Sequence, residues 1–154
     1  MIFRKARLSD LDSISRHYSR FFSEMADLQP DCLIPAEQKT SFIINAINSP
    51  GFLTLVVEND HGEVVGFALT REQASPPYPC LKPRRLAYLM DMSVAPAYRG
   101  QGLGGGFIER IKVWALSRGL EYVELNVLEE NSKAADLYER LGFHSSSRIM
   151  RLKL

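Results

Sequence analysis

The chain has two cysteines, Cys32 and Cys80, one tryptophan and three histidines among its 154 residues. Two cysteines make no disulfide framework. His17, His61 and His144 lie too far apart in sequence for a His/Cys cluster with zinc-ligand spacing, so no metal is expected. An excess of one charge is also missing. Lys and Arg number 19 and Asp and Glu 18, a net charge of +1, which gives no bulk attraction to nucleic acid. Nor is there a long hydrophobic run: the stretch Phe52 to Val57, interrupted by Thr54, falls far short of the roughly 18 residues of a membrane helix. Arg4, Lys5, Arg7, Asp10, Asp12, Arg16 and Arg20 leave no apolar core for a signal peptide. What is present is ordinary, 45% hydrophobic and 24% charged residues. A chain this long buries roughly 68–70% of its unfolded surface. The expectation is one cytoplasmic domain over residues 1–154, with no nucleic-acid or membrane partner.

Periodicity then orders the chain. Ile2–Leu8 alternates apolar and basic residues, as a half-buried strand does. Ser9 offers a helix cap with Asp12 behind it, and Leu11, Ile14, Tyr18, Phe21, Met25 and Leu28 form one face of a long helix that Pro30 ends. Pro35 suits the first turn of a second helix carrying Phe42, Ile43, Ile44 and Ile47. Phe52–Glu58 and Val64–Thr70 read as a hairpin around Asn59-Asp60-His61-Gly62. A proline-rich loop occupies 74–85, and Leu86–Val94 is a further strand. After a glycine cluster comes a helix to Arg118 with Leu103, Phe107, Ile111 and Trp114 inward. Tyr122–Leu128 is a strand, Asn131 caps a short helix closed by Gly142, and Arg148–Leu154 alternates as a last strand.

The segment with most chemical content runs from Val94 through Arg99 to Gly106. A strand ends there and glycine-rich backbone opens a helix. Helix N-termini present unpaired N–H groups and a positive dipole end, and so bind phosphate. Arg99 adds a formal charge. Gly104, Gly105 and Gly106 fall in the first helical turn, where each glycine costs up to about 1 kcal/mol relative to alanine. Close approach of a ligand would account for part of that run. The literal dinucleotide fingerprint Gly100-x-Gly102-x-x-Gly105 fits badly, because five residues including Pro96 separate Val94 from Gly100 and no second nucleotide half follows.

These residues resemble the GCN5-related N-acetyltransferase (GNAT) family. Arg99-x-x-Gly102-x-Gly104 matches that family's pyrophosphate motif, Val94-x-Pro96-x-Tyr98 its lead-in, and Asn131-x-x-Ala134-x-x-Leu137-Tyr138-x-x-Leu141-Gly142-Phe143 its second motif. The order of elements fits from Ile2 to Leu154, as in a small bacterial-type member of unassigned acceptor. The resemblance implies an α/β GNAT fold, a single mixed, mostly antiparallel sheet of about six to seven strands flanked by about four helices. It implies acetyl-CoA as co-substrate. Backbone groups of Met92 and Val94 would meet the pantetheine arm, and Arg99, Gly100, Gln101, Gly102, Leu103, Gly104 and Gly105 the pyrophosphate. Asn131 would hydrogen-bond the arm, and Tyr138 would stand near the sulfur.

The implied activity is transfer of acetyl to a primary amine of a small molecule or peptide, by direct attack in a ternary complex. A non-catalytic acyl-CoA-binding module and a protein N-acetyltransferase are the alternatives. The partners implied are an amine acceptor and, as an open possibility, a second copy in a homodimer. Tyr138 would protonate or stabilise the departing thiolate. The base is harder to find. Relatives carry Glu or His at positions matching Tyr88, Met90 or Asn126, none of which is a carboxylate here. Deprotonating an amine of pKa about 10.4 at neutrality costs about 4.6 kcal/mol. Asp91 is the nearest carboxylate, but alternation points it away from Met90 and Met92 unless a bulge intervenes. Glu124, Glu129 or the Tyr88 hydroxyl could instead end a water chain. Glu24, Asp27 and Tyr78, together with Tyr88, Met90 and Asn126, are placed by the same resemblance around the acceptor cleft.

Overall fold

The computed structural model describes residues 1–154. Five strands form one sheet in the order of the chain, β1 (Ile2–Lys5), β2 (Phe52–Glu58), β3 (Val64–Ala74), β4 (Arg85–Val94) and β5 (Tyr122–Leu125). Neighbours are antiparallel through β4, and β5 runs parallel to β4. The helices are α1 (Leu11–Leu28), α2 (Thr40–Asn48), α3 (Leu103–Ser117) and α4 (Ser132–Arg140). Alternation along β2 and β3 sends side chains into two cores. Leu55, Val57 and Ala68 meet Phe107, Ile108 and Ile111 of α3, while Val56, Phe67 and Leu69 meet Ile14 and Tyr18 of α1 and Ile43 of α2. No helix is long and apolar enough to cross a membrane.

Several expectations are corrected. The sheet has five strands, not six to seven, because Arg148–Leu154 pairs with nothing: no backbone hydrogen bond reaches beyond Phe143. The second helix starts at Thr40 rather than Pro35. Glu37, Gln38 and Lys39 have no apolar residue to bury, and the stripe that holds the helix down begins at Phe42. Ser9 does not cap α1. Leu8–Asp10 forms a single tight turn, and Asp10 spends its carboxylate on the Arg7 N–H (2.7 Å) and the Arg4 guanidinium (2.7 and 2.8 Å). The last expected strand but one stops at Leu125 instead of Leu128.

Candidate active site

Two features of β4 create the site. The first is where its pairing ends. β4 and β5 are in register from Leu86↔Tyr122 to Leu89↔Leu125 and then part, so β4 continues to Val94 with no partner on that side. Parallel neighbours that separate leave a wedge-shaped gap with an unpaired strand edge along one wall. That edge can accept backbone-like hydrogen bonds from an extended ligand arm.

The second feature is a bulge. Thr70 faces Leu89 but Leu69 faces Asp91, which leaves Met90 as the extra residue. A bulge resets the alternation of the residues after it. Leu89 belongs to the α3-side core, whereas Asp91 faces α1, where its carboxylate accepts a 2.8 Å hydrogen bond from the Tyr18 hydroxyl. The bulge is the stated exception to the alternation, and Asp91 lines the same cavity as Met90 and Met92.

That cavity, about 130 Å³, fills the gap. Its walls are Phe21 and Met25 of α1, residues 89–92 of β4, residues 125–128 of β5 and the segment after it, and Asn131, Ala134, Leu137 and Tyr138 at α4. Most of the lining is apolar, which sets the electrostatics of the two titratable groups in it. Burial pushes the Asp91 carboxyl above its usual range, and the Tyr18 hydrogen bond offsets only part of this. Burial likewise pushes the Tyr138 phenol up to about 12, so it stays protonated through neutral pH. The Tyr138 ring packs edge-on against Phe143 with centroids 5.6 Å apart.

Beyond the open edge of β4, Gly102 precedes α3 with φ of 78°, and Gly100 has φ of 76°. Both take the left-handed conformation that glycine adopts without strain. A Cβ on either would meet nothing within 4 Å, so the backbone here is open to a close ligand. Arg99 reaches back from this loop. Its Nε donates to the Val94 carbonyl at 2.9 Å, and an NH2 group binds both Glu24 oxygens at 2.7 and 2.8 Å. Asn131 begins α4 and accepts the Ala134 N–H at 3.3 Å.

Of the expected site residues, Met90, Asp91, Met92, Asn126, Asn131 and Tyr138 come together in the cavity. The others stand differently. Glu24 is engaged by Arg99, and Asp27 is exposed. Tyr78 is exposed on the 75–84 loop. Tyr88 lies outside the cavity lining, opposite Arg71 of β3 and under its guanidinium. The Leu103 side chain belongs to the core, leaving only its backbone at the helix start.

Packing within the chain accounts for part of the glycine run. A Cβ at Gly104 would come within 2.7 Å of Leu137, and one at Gly106 within 2.5 Å of the Phe3 ring. The Phe3 ring leaves no room for a Cβ at Gly106, whereas the Leu137 methyl facing Gly104 ends a flexible side chain that can shift. The sequence reading missed the apolar walls Phe21, Met25, Leu125, Val127, Leu128 and Leu137, and it missed Tyr18 as the partner of Asp91. Phe21, Met25 and Tyr18 were visible only as one helix stripe, the signature of a core face.

The whole arrangement has known relatives. Residues 12–143 match the model of the acetyltransferase (GNAT) family. Thialysine N-epsilon-acetyltransferase from Sus scrofa is 47% identical over 58 residues, 38% of this chain and 34% of the relative. Glucosamine 6-phosphate N-acetyltransferase from Trypanosoma brucei brucei is 37% identical over 71 residues, 46% of each protein. These matches span less than half the length of either curated relative. A mutant of a Bacillus halodurans protein superposes with a TM-score of 0.93 at 22% identity, covering 100% of this chain and 99% of that one. A predicted acetyltransferase from Clostridium acetobutylicum, solved with acetyl-CoA, superposes with a TM-score of 0.75 at 19% identity, covering 99% and 95%. At such identities the two structures establish the fold alone.

Proposed function

The chain belongs to the GNAT acetyltransferase family, and on that premise we propose that it moves acetyl from acetyl-CoA to a primary amine by direct attack in a ternary complex. The observation that carries this reading is the gap between β4 and β5. One wall ends in the half-buried carboxyl of Asp91 and another carries Tyr138. Acetyl-CoA supplies an activated thioester. Met92 and Val94 bind its arm through the open β4 edge, and the amides of Gly100–Gly105 with Arg99 hold the pyrophosphate. The unpaired edge and the left-handed glycines with open space around them support that fit.

The chemistry is then divided between two walls. Asp91, with its affinity for protons raised by burial, takes the proton from the substrate ammonium, directly or through one water. The amine nitrogen forms a bond to the thioester carbon, the carbon–sulfur bond breaks, and the second proton shed by the nitrogen passes to the departing thiolate, which leaves as the free thiol. The Tyr138 hydroxyl donates a hydrogen bond to the departing sulfur. A phenol pushed up to about 12 lies some 3.5 units above a thiol of about 8.5, so full proton transfer would run uphill by nearly 5 kcal/mol. Tyr138 therefore stabilises the thiolate rather than surrendering its proton.

For the acceptor, the α1 wall is apolar at Phe21 and Met25, with Asp91 as the one carboxylate in the lining. That suits a single amine on a slender apolar stem, carried by a small molecule or a peptide. The relatives' own substrates are no guide to this wall. A 58-residue match cannot extend from Phe21 to Tyr138.

The test is release of free thiol from acetyl-CoA against a panel of small amines and lysine-bearing peptides, with the product identified by mass. Turnover with small amines is expected. Tight acetyl-CoA binding without thiol release for any amine would leave an acyl-CoA-binding module, and turnover confined to peptides a protein N-acetyltransferase.

A further inference from the structure

The half-buried arginines of this chain hold carboxylates, with one exception. Arg4 is bound by Asp10 and Glu58, Arg84 by Glu121, and Arg118 by Glu72. Arg71 of β3 is half-buried like them, yet it takes part in none of the chain's ion pairs. Its Nη2 donates to the Gln73 Oε1 at 2.9 Å, its Nε is buried without a partner, and its Nη1 makes no hydrogen bond. The guanidinium carbon stands 5.9 Å from the centroid of the Tyr88 ring. A neutral amide and an aromatic face hold such a group in place without neutralising it. Withdrawing a guanidinium from water with no anion beside it is unfavourable. The arrangement is complete only when an anion arrives from outside the chain.

The place of Arg71 in the sheet relates it to the cavity. Phe67 and Leu69 belong to the core on the α1 and α2 side, and alternation puts Arg71 and Gln73 on that side too. Glu72, between them, faces the other way and holds Arg118 at the end of α3. Across the ladder Leu69 faces Asp91, and Arg71 faces Tyr88. The two rungs are two residues of β3 apart, roughly 7 Å. Ala87 and Leu89 belong to the α3-side core, which leaves Tyr88 on the α1 and α2 side. Because Met90 is the extra residue of the bulge, Asp91 joins the face that Tyr88 and Arg71 share. Met90 lies between them and lines the cavity. One face of the sheet thus presents, in a row, a carboxyl, a thioether and a guanidinium without a counter-ion.

We propose that Arg71 determines acceptor specificity, and that the acceptor carries an anionic group, a carboxylate or a phosphate, at the far end of the stem whose amine reaches Asp91. Nη1 of Arg71 binds that group, with Gln73 fixing the plane of the guanidinium and Tyr88 beneath it. The stem crosses Met90, in keeping with the apolar lining around it. A second cation at the far end, as in a diamine, is repelled by Arg71, so the same residue selects against that class. The inference rests on the amine-transfer reading above, which places the amine at Asp91; the anion site itself is read by binding alone.

The test uses the full chain and acceptors of matched stem: ε-aminocaproate, its carboxamide, aminohexyl phosphate and hexamethylenediamine. Calorimetric titration into the CoA-saturated protein reads binding, and thiol release from acetyl-CoA reads turnover. The protein should favour ε-aminocaproate or aminohexyl phosphate over the carboxamide by about 10–100-fold, in affinity and in kcat/KM. The diamine should be used least. Whichever anionic probe binds better identifies the group as carboxylate or phosphate. Arg71→Gln should bring the ratio of anionic to carboxamide acceptor close to one. Arg71→Lys keeps the charge and loses the fork, so its ratio should fall between; it is the readout if Arg71→Gln does not melt cooperatively. A purely structural role for Arg71 would lower Tm and leave the ratio unmoved. Selective binding of an anionic probe without thiol release would overturn the transfer reading and leave the anion site standing. Equal binding of the carboxylate, phosphate and carboxamide probes, or a preference that survives both substitutions undiminished, would overturn the proposal.

Discussion

Asp91 and Tyr138 carry the residue-scale argument, and each can be removed with little change of shape. Burial raises the folded-state pKa of Asp91. The stability associated with its protonated form is therefore fully present below the unfolded carboxyl pKa and is lost as pH rises through the raised one. Asp91→Asn removes that loss and keeps an oxygen to accept from Tyr18. At neutral pH its Tm should stay level or rise, while kcat/KM falls about 10²–10⁴-fold. Calorimetry and steady-state kinetics on one preparation check both. Without the bulge, the same substitution would remove little activity, and the pH–rate inflection would follow each amine's own pKa. With it, two amines differing by about two pKa units should share a lower inflection that Asp91→Asn abolishes. Tyr138→Phe keeps the ring packed on Phe143 and should lower kcat at least about tenfold with acetyl-CoA affinity little changed. Retention of most of the wild-type kcat, in an assay limited by chemistry, would leave Tyr138 a packing residue.

At the scale of elements, α3 offers a contrast between adjacent glycines. A Cβ at Gly105 would lie 3.8 Å from Leu141, an ordinary contact. Gly105→Ala should stabilise the chain by up to about 1 kcal/mol and leave its amide free for phosphate, so CoA affinity should hold. Gly106→Ala would press on the Phe3 ring, which is already fixed edge-on against Phe107 and covered by Arg110, and should destabilise by about 1–3 kcal/mol. Paired denaturation curves and CoA titrations test the contrast. The same scale shows what a sequence can carry. The stripes of α1, α3 and α4 and the Asn59–Gly62 hairpin depend on local periodicity and turn chemistry, and they were legible. The bulge at Met90 depends on register with Leu69 and Thr70, twenty residues away along the chain. The Tyr18–Asp91 hydrogen bond joins positions 73 apart. Neither is written in local spacing.

For the whole molecule, the two sequence motifs fall on either side of the gap along the chain: the glycine turn follows β4, and Asn131 lines the cavity. Of the residues expected around the acceptor cleft, Met90 and Asn126 line the cavity, and Glu24, Asp27, Tyr78 and Tyr88 do not. Glu24 and Asp27 lie on the same helix as Phe21 and Met25, but it is the apolar pair that lines the cavity. Arg148–Leu154 has the alternation of a strand and pairs with no edge of its own chain, because alternation specifies a face and not a partner. The central claim is that the open edge of β4 and the glycine turn beyond it hold the donor. Amide hydrogen exchange, with and without saturating CoA, tests it most directly. Protection should rise along Met90–Val94 and Gly100–Gly105, with β1 and β2 unchanged. Exchange unaltered in both segments while CoA is bound, or protection confined to other elements, would contradict the account.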